Sequence, residues 1–365
     1  MYKFNDKSID KKNNTATFGA GISLYDLLKF LDKNGYILEN RSAISVQSIG
    51  GCIATGTHGS RALNHTSSIS DALLNCNIVD GNGNLHSITD KKELKAFKTH
   101  LGYLGVVYNV TLKIVPQFNV NYSFNELNKL DYNVVKNIIN NNYSTNIYFF
   151  NKNQYYVDNY NKTTKAITSN TNHDTIFETV LFKLLNPFLK INYLKPIITL
   201  FSENMFNNKN DKIGKYYEIY GVNFNKFPIT NWQDYEIAFR FEENIFNNVI
   251  NEIYNIFKNP KNGINFFTLR FGGSDNSYLG MNSKYDVFWI NITNLGSGHP
   301  QKSIEESLKV IQKYKGRPHY GKAPIITLDI LENADLNVKK WLKIKEKYDP
   351  NKIFYNKTYE EMFLK

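Results

Sequence analysis

QSIGGCIATGTHGS, residues 47–60, decides how this chain is read: four glycines, one histidine and the hydroxyls of Thr55, Thr57 and Ser60 crowd into it. Glycine lacks a Cβ, so Gly50, Gly51, Gly56 and Gly59 let the backbone approach a ligand closely and turn successive N–H groups into one concavity. Hydroxyls add further donors. The stretch predicts a cradle for an anionic ligand with a long polar spine. A plain Gly/Ser/Thr turn is the alternative, because such loops are common; the order of the residues favours the cradle.

Working outward, Thr15–Gly19 alternates as a strand and runs into Gly19-Ala20-Gly21. Ser23 with Asp26 then starts a helix whose Leu24, Leu27, Leu28 and Leu31 share one face until Gly35 ends it. Beyond the glycine run, 72–79 reads as a strand, DGNG at 80–83 as a turn and Leu85–Ile88 as the return strand. The stretch LGYLGVVYNVTLKIVP, 101–116, opens with glycines and becomes a long alternating strand. From Gln117 the composition shifts to Asn, Tyr and Phe with almost no glycine until Gly214, which marks entry to a second domain. Its candidate strands are 146–150, 216–222, 235–241, 266–271 and 287–293, and its helices 243–258 and 303–314. An antiparallel sheet backed by helices is the economical arrangement.

A chain of 365 residues can hold two domains with real cores, and 42% hydrophobic residues with 25 Phe and 25 Tyr exclude disorder. The abundance of Asn, Lys, Ile and Tyr looks like a nucleotide-composition bias in the gene. The formal charge of +11 is scattered, with no Lys/Arg block longer than a pair or so and no nucleic-acid motif, so no nucleic-acid partner is expected. Cys52 and Cys76 are too few for a disulfide framework and suit a reducing compartment. The start MYKFNDKSIDKKNN is polar and does not read as a signal peptide. The most apolar region, 181–201, is broken by Lys183, Pro187, Lys190, Lys195 and Pro196; it falls short of a spanning helix and reads as core. No metal-ligand spacing appears among the seven His and two Cys.

The run GG-x-x-x-x-GTHGS with its Gln-Ser-Ile lead-in resembles the pyrophosphate-binding segment of the vanillyl-alcohol-oxidase type of FAD enzymes, in particular the sugar-lactone and alditol oxidases. It is not the G-x-G-x-x-G dinucleotide fingerprint, so the resemblance points to FAD and not NAD. Tyr235-Glu236-Ile237-Ala238, Leu269-Arg270-Phe271 with Asp275 and Leu279, Arg317-Pro318-His319-Tyr320-Gly321-Lys322, and Asp349-Pro350 with Phe354 and Asn356 resemble further segments of that family in the same order. The resemblance implies an α+β fold: a PCMH-type FAD-binding domain (1–117), truncated at its N-terminus, an antiparallel-sheet substrate domain with helices (118–316), and a segment (317–365) returning to the first domain. Some members are membrane-associated, so a cytoplasmic or membrane-associated location is implied.

By the same resemblance, Gly50, Gly51, Thr55, Gly56, Thr57, His58, Gly59, Ser60 and Lys322 would hold FAD. Thr268 and Arg270 would bind a sugar lactone or polyol, and Arg270, Lys322 and Ser60 would carry the oxidation of its CH–OH group. The chemistry suits those types: hydride leaves carbon for flavin while the hydroxyl proton is lost, and a guanidinium fork and a lysine point charge stabilise the charge that builds. His319, between Pro and Tyr, reads as a packed structural histidine. Two departures stand out. The family's first segment, whose loop wraps the pyrophosphate and in some members bonds flavin covalently, lies ahead of Met1; FAD is therefore expected to be non-covalent and easily lost unless a separate chain supplies that loop. Thr268 replaces a family glutamate two residues before the arginine. The rival reading is a truncated, non-catalytic relative serving as a binding or structural module.

Overall fold

The computed structural model describes residues 4–151, 154–168, 211–220, 232–257, 266–295, 301–322 and 326–364. The 181–201 stretch lies outside the described residues. No helix among the described residues is long and apolar enough to cross a membrane.

Strands β1 (Lys7–Asp10), β2 (Thr15–Gly19), β4 (Leu73–Val79), β5 (Leu85–Ile88) and β6 (Val106–Lys113) form an antiparallel sheet in the order β1-β2-β6-β4-β5, while β3 (Tyr36–Ile37) pairs with β7 (Val115–Pro116). Helix Leu24–Lys33 buries Leu24, Leu27, Leu28 and Leu31 in the core beneath this sheet. Ser23 caps it by accepting from Asp26 N, and Gly35 follows its end at φ +79°.

Eight further strands form a second antiparallel sheet: β8 (Asn119–Leu127), β9 (Ser144–Asn151), β10 (Gln154–Thr163), β11 (Lys212–Lys215), β12 (Trp232–Arg240), β13 (Phe266–Gly272), β14 (Val287–Leu295) and β15 (Arg317–Pro318), in the order β11-β8-β10-β9-β13-β14-β12-β15. Side chains alternate across a strand. Ile147, Phe149, Phe267, Leu269, Ile290 and Ile237 therefore share an apolar face, packed in one core with Phe246, Val249 and Ile253 of helix Glu243–Phe257. The expected α+β architecture, antiparallel sheets with helices, is the one observed.

Two local expectations are corrected. Residues 216–222 were expected to extend as a strand, but Tyr216–Ile219 is a helical turn after β11. The helical stagger sets Tyr216 and Tyr220 with ring centroids 5.2 Å apart, and Phe118 and Tyr143 pack against Tyr216 at 5.2 and 5.7 Å. That buried aromatic cluster outweighs the β propensity of tyrosine. The glycine run is likewise not all loop: Ile49–Ala54 is helical, capped by Ser48, with Ile49, Cys52 and Ile53 buried on one side.

The chain's last segment joins the first core, where Trp341, Tyr348, Tyr359 and Phe363 lie among Leu24, Ile53 and Leu104. Buried Asp349 accepts from Ile353 N at 2.7 Å and Phe354 N at 3.0 Å and pairs with Lys345. Gly81 N donates to Tyr348 O at 2.8 Å. Any Cβ at Gly81 would lie 2.4 Å from Asp349 Oδ1, so glycine is what lets the β4–β5 turn seat there.

Candidate active site

The second face of the large sheet is polar and yet buried. Alternation that sends Phe267, Leu269 and Phe271 into the apolar core sends Thr268 and Arg270 the other way, and on β14 and β12 the same parity selects Trp289, Asn291, Thr293, Glu236 and Ala238. Register puts Glu236 opposite Asn291, Asn291 opposite Thr268, and Thr268 opposite Tyr148 of β9, one row across four strands.

Glu236 is the hub of that face. Its Oε1 lies 2.7 Å from Arg270 Nη1, its Oε2 2.9 Å from Lys322 Nζ and 3.4 Å from His58 Nε2. Burial pushes the Glu236 carboxyl up, but the combined pull of Lys322, His58 and Arg270 outweighs it and holds the group well below the usual carboxylate range. Two fixed cations share the Glu236 carboxylate, so its charge is more than compensated at that point even before His58 is counted. Lys322 is placed by the segment before it. The Arg317 guanidinium donates to Met281 O, Ser283 O and Ala334 O, Tyr320 OH donates to Leu279 O at 2.8 Å, and Gly321 passes close to the His319 ring and Thr55. His319 N donates to Glu236 O at 2.8 Å, and burial drives its imidazole down to about 3, so it stays neutral, as a packed structural residue would.

His58, Glu236 and His319 bring ligand-type atoms within 4.8 Å of one another, a spacing a metal ion could use. Lys322 and Arg270 on the same carboxylate argue against it, since a third cation would be repelled by both at contact distance. The trio is a charge-compensated network. His58 completes it by stacking on Trp289, ring centroids 4.0 Å apart, with its Nδ1 2.9 Å from Gly59 O.

The glycine run departs from the expected cradle of free N–H groups. Gly50 N donates to Ala20 O, Gly51 N to Ser48 Oγ, Thr55 N to Gly51 O, Gly56 N to Ile53 O, Thr57 N to Cys52 O and Gly59 N to Ser67 O. Ser60 N donates to Tyr220 OH at 2.8 Å, and Ser60 Oγ donates to Thr145 O while accepting from Phe271 N at 3.0 Å. Ser60 thus fastens the loop to β9 and β13, and its hydroxyl is already engaged on both sides. Gly59 and Gly50 serve close packing of chain on chain: a Cβ at Gly59 would lie 1.9 Å from Arg41 O, and one at Gly50 3.0 Å from Ala20 O.

Polar groups without partners cluster nearby. Gln47 Oε1, Thr99 Oγ1 and His100 Nε2 are buried without a hydrogen bond, Thr99 lies against Gly56, and Leu101 N bonds Ala54 O. His100 Nδ1 accepts from Gly102 N at 3.1 Å, which leaves Nε2 as the proton-bearing donor. Buried donors and acceptors of this kind are satisfied in native proteins, and a polar ligand beside the loop would satisfy these. Together with the cations Arg270 and Lys322, these unsatisfied donors and acceptors fit FAD.

Of the residues expected from sequence, His58, Arg270 and Lys322 meet at one point, and Thr268 lies buried beside them in the sheet. Glu236 lies in a family-like stretch to which the sequence alone assigns no role. A lone charge in the run Tyr-Glu-Ile-Ala-Phe, on the parity shared with Arg270, was the available signal. The carboxylate that Thr268 lacks for Arg270 is supplied by Glu236, two strands away.

Comparison with known proteins gives the family. Residues 110–362, more than half of the chain, match the family model described as D-arabinono-1,4-lactone oxidase, and residues 1–89 match that of an FAD binding domain. The D-arabinono-1,4-lactone oxidase of Eremothecium gossypii is 38% identical over 107 residues, 28% of this chain and 20% of that protein. The match therefore spans about a fifth of that relative's length. L-gulonolactone oxidase of Bos taurus is 26% identical over 97% of this chain and 82% of its own length. Among solved structures, a solvent-stable cholesterol oxidase superposes with a TM-score of 0.76 at 15% identity, covering 98% of this chain and 84% of that one. Xylooligosaccharide oxidase from Myceliophthora thermophila C1 gives 0.69 at 11% identity, covering 97% and 79%. These two likenesses concern the fold alone. The cofactor of the matched N-terminal domain is FAD, and by the longer match the chain belongs to the D-arabinono-1,4-lactone oxidase family.

Proposed function

We propose that this protein oxidises a CH–OH group of a sugar lactone or polyol, with D-arabinono-1,4-lactone and L-gulono-1,4-lactone, the compounds named for its relatives, as the first candidates. The observation that carries the reading is the Arg270–Glu236–Lys322 network on the buried polar face. Bound FAD would accept the hydride from the substrate carbon. Arg270, anchored on Glu236, binds the substrate oxygen through its planar guanidinium. Lys322 supplies a point charge where negative charge collects during hydride transfer. Glu236 fixes both cations and offsets their mutual repulsion. Thr268 lines the same row and offers a hydroxyl. Ser60 acts by holding the loop on the sheet.

The cofactor is held non-covalently in this reading, since both ring nitrogens of His58 face the protein, one Gly59 O and the other Glu236, and neither is turned to a flavin bond. FAD-loaded protein mixed anaerobically with each lactone should lose its oxidised flavin absorbance. Unchanged absorbance with every lactone and polyol tried would remove the proposal.

A further inference from the structure

Asn146 of β9 stands on the polar face and is 5% exposed, and its Oδ1 has no hydrogen-bond partner among the described residues. Both flanking strands are otherwise provided for. Asp158, directly across on β10, accepts from Tyr122 at 2.6 Å, Tyr148 at 2.9 Å and Tyr160 at 3.4 Å. On β13, Arg270 holds Glu236. A buried acceptor left unmade is costly, and a strand position tolerates valine or threonine without that cost. An amide kept there implies a partner that arrives with the ligand.

Register identifies where that partner lies. Thr268 pairs with Tyr148 and Leu269 with Ile147, so the next residue of β9, Asn146, falls beside Arg270 on the neighbouring strand, about 5 Å away at ordinary strand spacing. Ser144, two residues earlier on the same face, donates to Ser60 O, which brings the 47–60 loop to the edge of the same spot. A guanidinium and an unpartnered amide on adjacent strands match two oxygens on adjacent carbons.

We propose that Asn146 is a specificity-determining residue: its amide binds the hydroxyl on the carbon next to the one whose oxygen Arg270 holds, so that the site selects vicinal diols over monohydroxy ligands. The inference rests on the proposed oxidation of a lactone or polyol. A site built to hydrogen-bond a hydroxyl rejects the analogue lacking it, because the site's own polar group is then left unpaired.

The test compares wild type with Asn146→Leu and Asn146→Ala, all FAD-loaded, by calorimetric titration of L-gulono-1,4-lactone and of its deoxy analogue lacking that hydroxyl. Wild type should bind the lactone about tenfold more tightly than the deoxy compound, the worth of roughly one hydrogen bond. Both variants should bind the two compounds alike, with FAD affinity unchanged. Because the amide has no protein partner, the leucine variant should melt no lower than wild type. Discrimination that persists in the variants, an FAD affinity that falls with the lactone's, or a sharp loss of stability in both variants would each overturn the assignment. The titration needs no turnover, so a lactone that binds without reducing flavin defeats the proposed reaction while the comparison still decides Asn146.

Discussion

Arg270 and Lys322, fifty-two positions apart in sequence, are bound to opposite oxygens of one buried carboxylate: Glu236 Oε1 lies 2.7 Å from Arg270 Nη1 and Oε2 2.9 Å from Lys322 Nζ. Removing one partner of a buried ion pair leaves uncompensated charge, typically at a cost of about 3–5 kcal/mol. Glu236→Ala should therefore lower the urea unfolding free energy by an amount of that order. Glu236→Gln keeps the shape, should cost less stability, and should slow flavin reduction about a hundredfold by letting both cations drift. A glutamine variant with wild-type reduction kinetics would show that the carboxylate does not position them.

Arg270→Ala and Lys322→Ala should each cut the flavin reduction rate about a hundredfold or more, since each removes a donor aimed at developing charge. FAD affinity should change much less, because the unsatisfied polar atoms of Gln47, Thr99 and His100 lie at the loop and not on these cations. Stopped-flow reduction beside flavin titration separates the two effects. Equal losses in both measurements would place the cations on the cofactor alone.

Acid should weaken the fold before the carboxylates titrate. Burial drives His319 down to about 3 and His100 to about 4, so below about 6.5 the unfolded chain takes up two protons that the folded chain refuses, and stability falls as pH falls. Asp275 works the other way: burial first, then the nearby Asp71 charge, raise it to about 6, so the folded chain binds one extra proton between 6 and 3.8. His65, also held below the usual imidazole range by burial first and then by Arg61, adds to the two buried histidines, so the balance favours unfolding by at least one proton, about 1.4 kcal/mol per pH unit or more between pH 6 and 4. Glu236, held low, contributes stability that is complete above about 4.5 and is lost only at lower pH. Denaturant titrations at pH 6, 5 and 4 should show the slope, and His100→Asn should make it shallower by about one proton's worth. Stability that is constant or rises toward pH 4 contradicts this account.

Alternation made the sheets legible: Leu269-Arg270-Phe271 and its neighbours announce strands with one apolar face, and the structure gives β13 as Phe266–Gly272. Alternation does not say which strands become neighbours, so Glu236 could not be matched to Arg270 across β14 from sequence. Spacing also failed where side chains decide the backbone. Tyr216 and Tyr220 read as strand residues until their helical stagger seats them on Phe118 and Tyr143. The glycine run was recognisable as a place of close approach, but sequence does not reveal what approaches, and the atoms nearest Gly59 belong to Arg41 and Tyr220.

That last distinction can be measured within one loop. Gly59 has no room for a methyl group: its Cβ would lie 1.9 Å from the backbone oxygen of Arg41 and 2.9 Å from Tyr220 OH, and backbone cannot swing aside as a side chain can. Gly59→Ala should destabilise by about 1–3 kcal/mol or more through overpacking. Gly51 is different. It sits in helix Ile49–Ala54, and its Cβ would meet only Ser48 Oγ at 3.2 Å. Alanine there gains up to about 1 kcal/mol of helix propensity, against some loss of the Ser48 cap, so Gly51→Ala should change stability by less than about 1 kcal/mol. If the glycines serve chain packing, FAD affinity should follow stability in this pair, lowered in Gly59→Ala and nearly unchanged in Gly51→Ala. A Gly51→Ala variant that melts like wild type but binds FAD more than tenfold more weakly would mean that the cofactor itself lies against Gly51, and would restore the glycine run as a cradle for the ligand's phosphates.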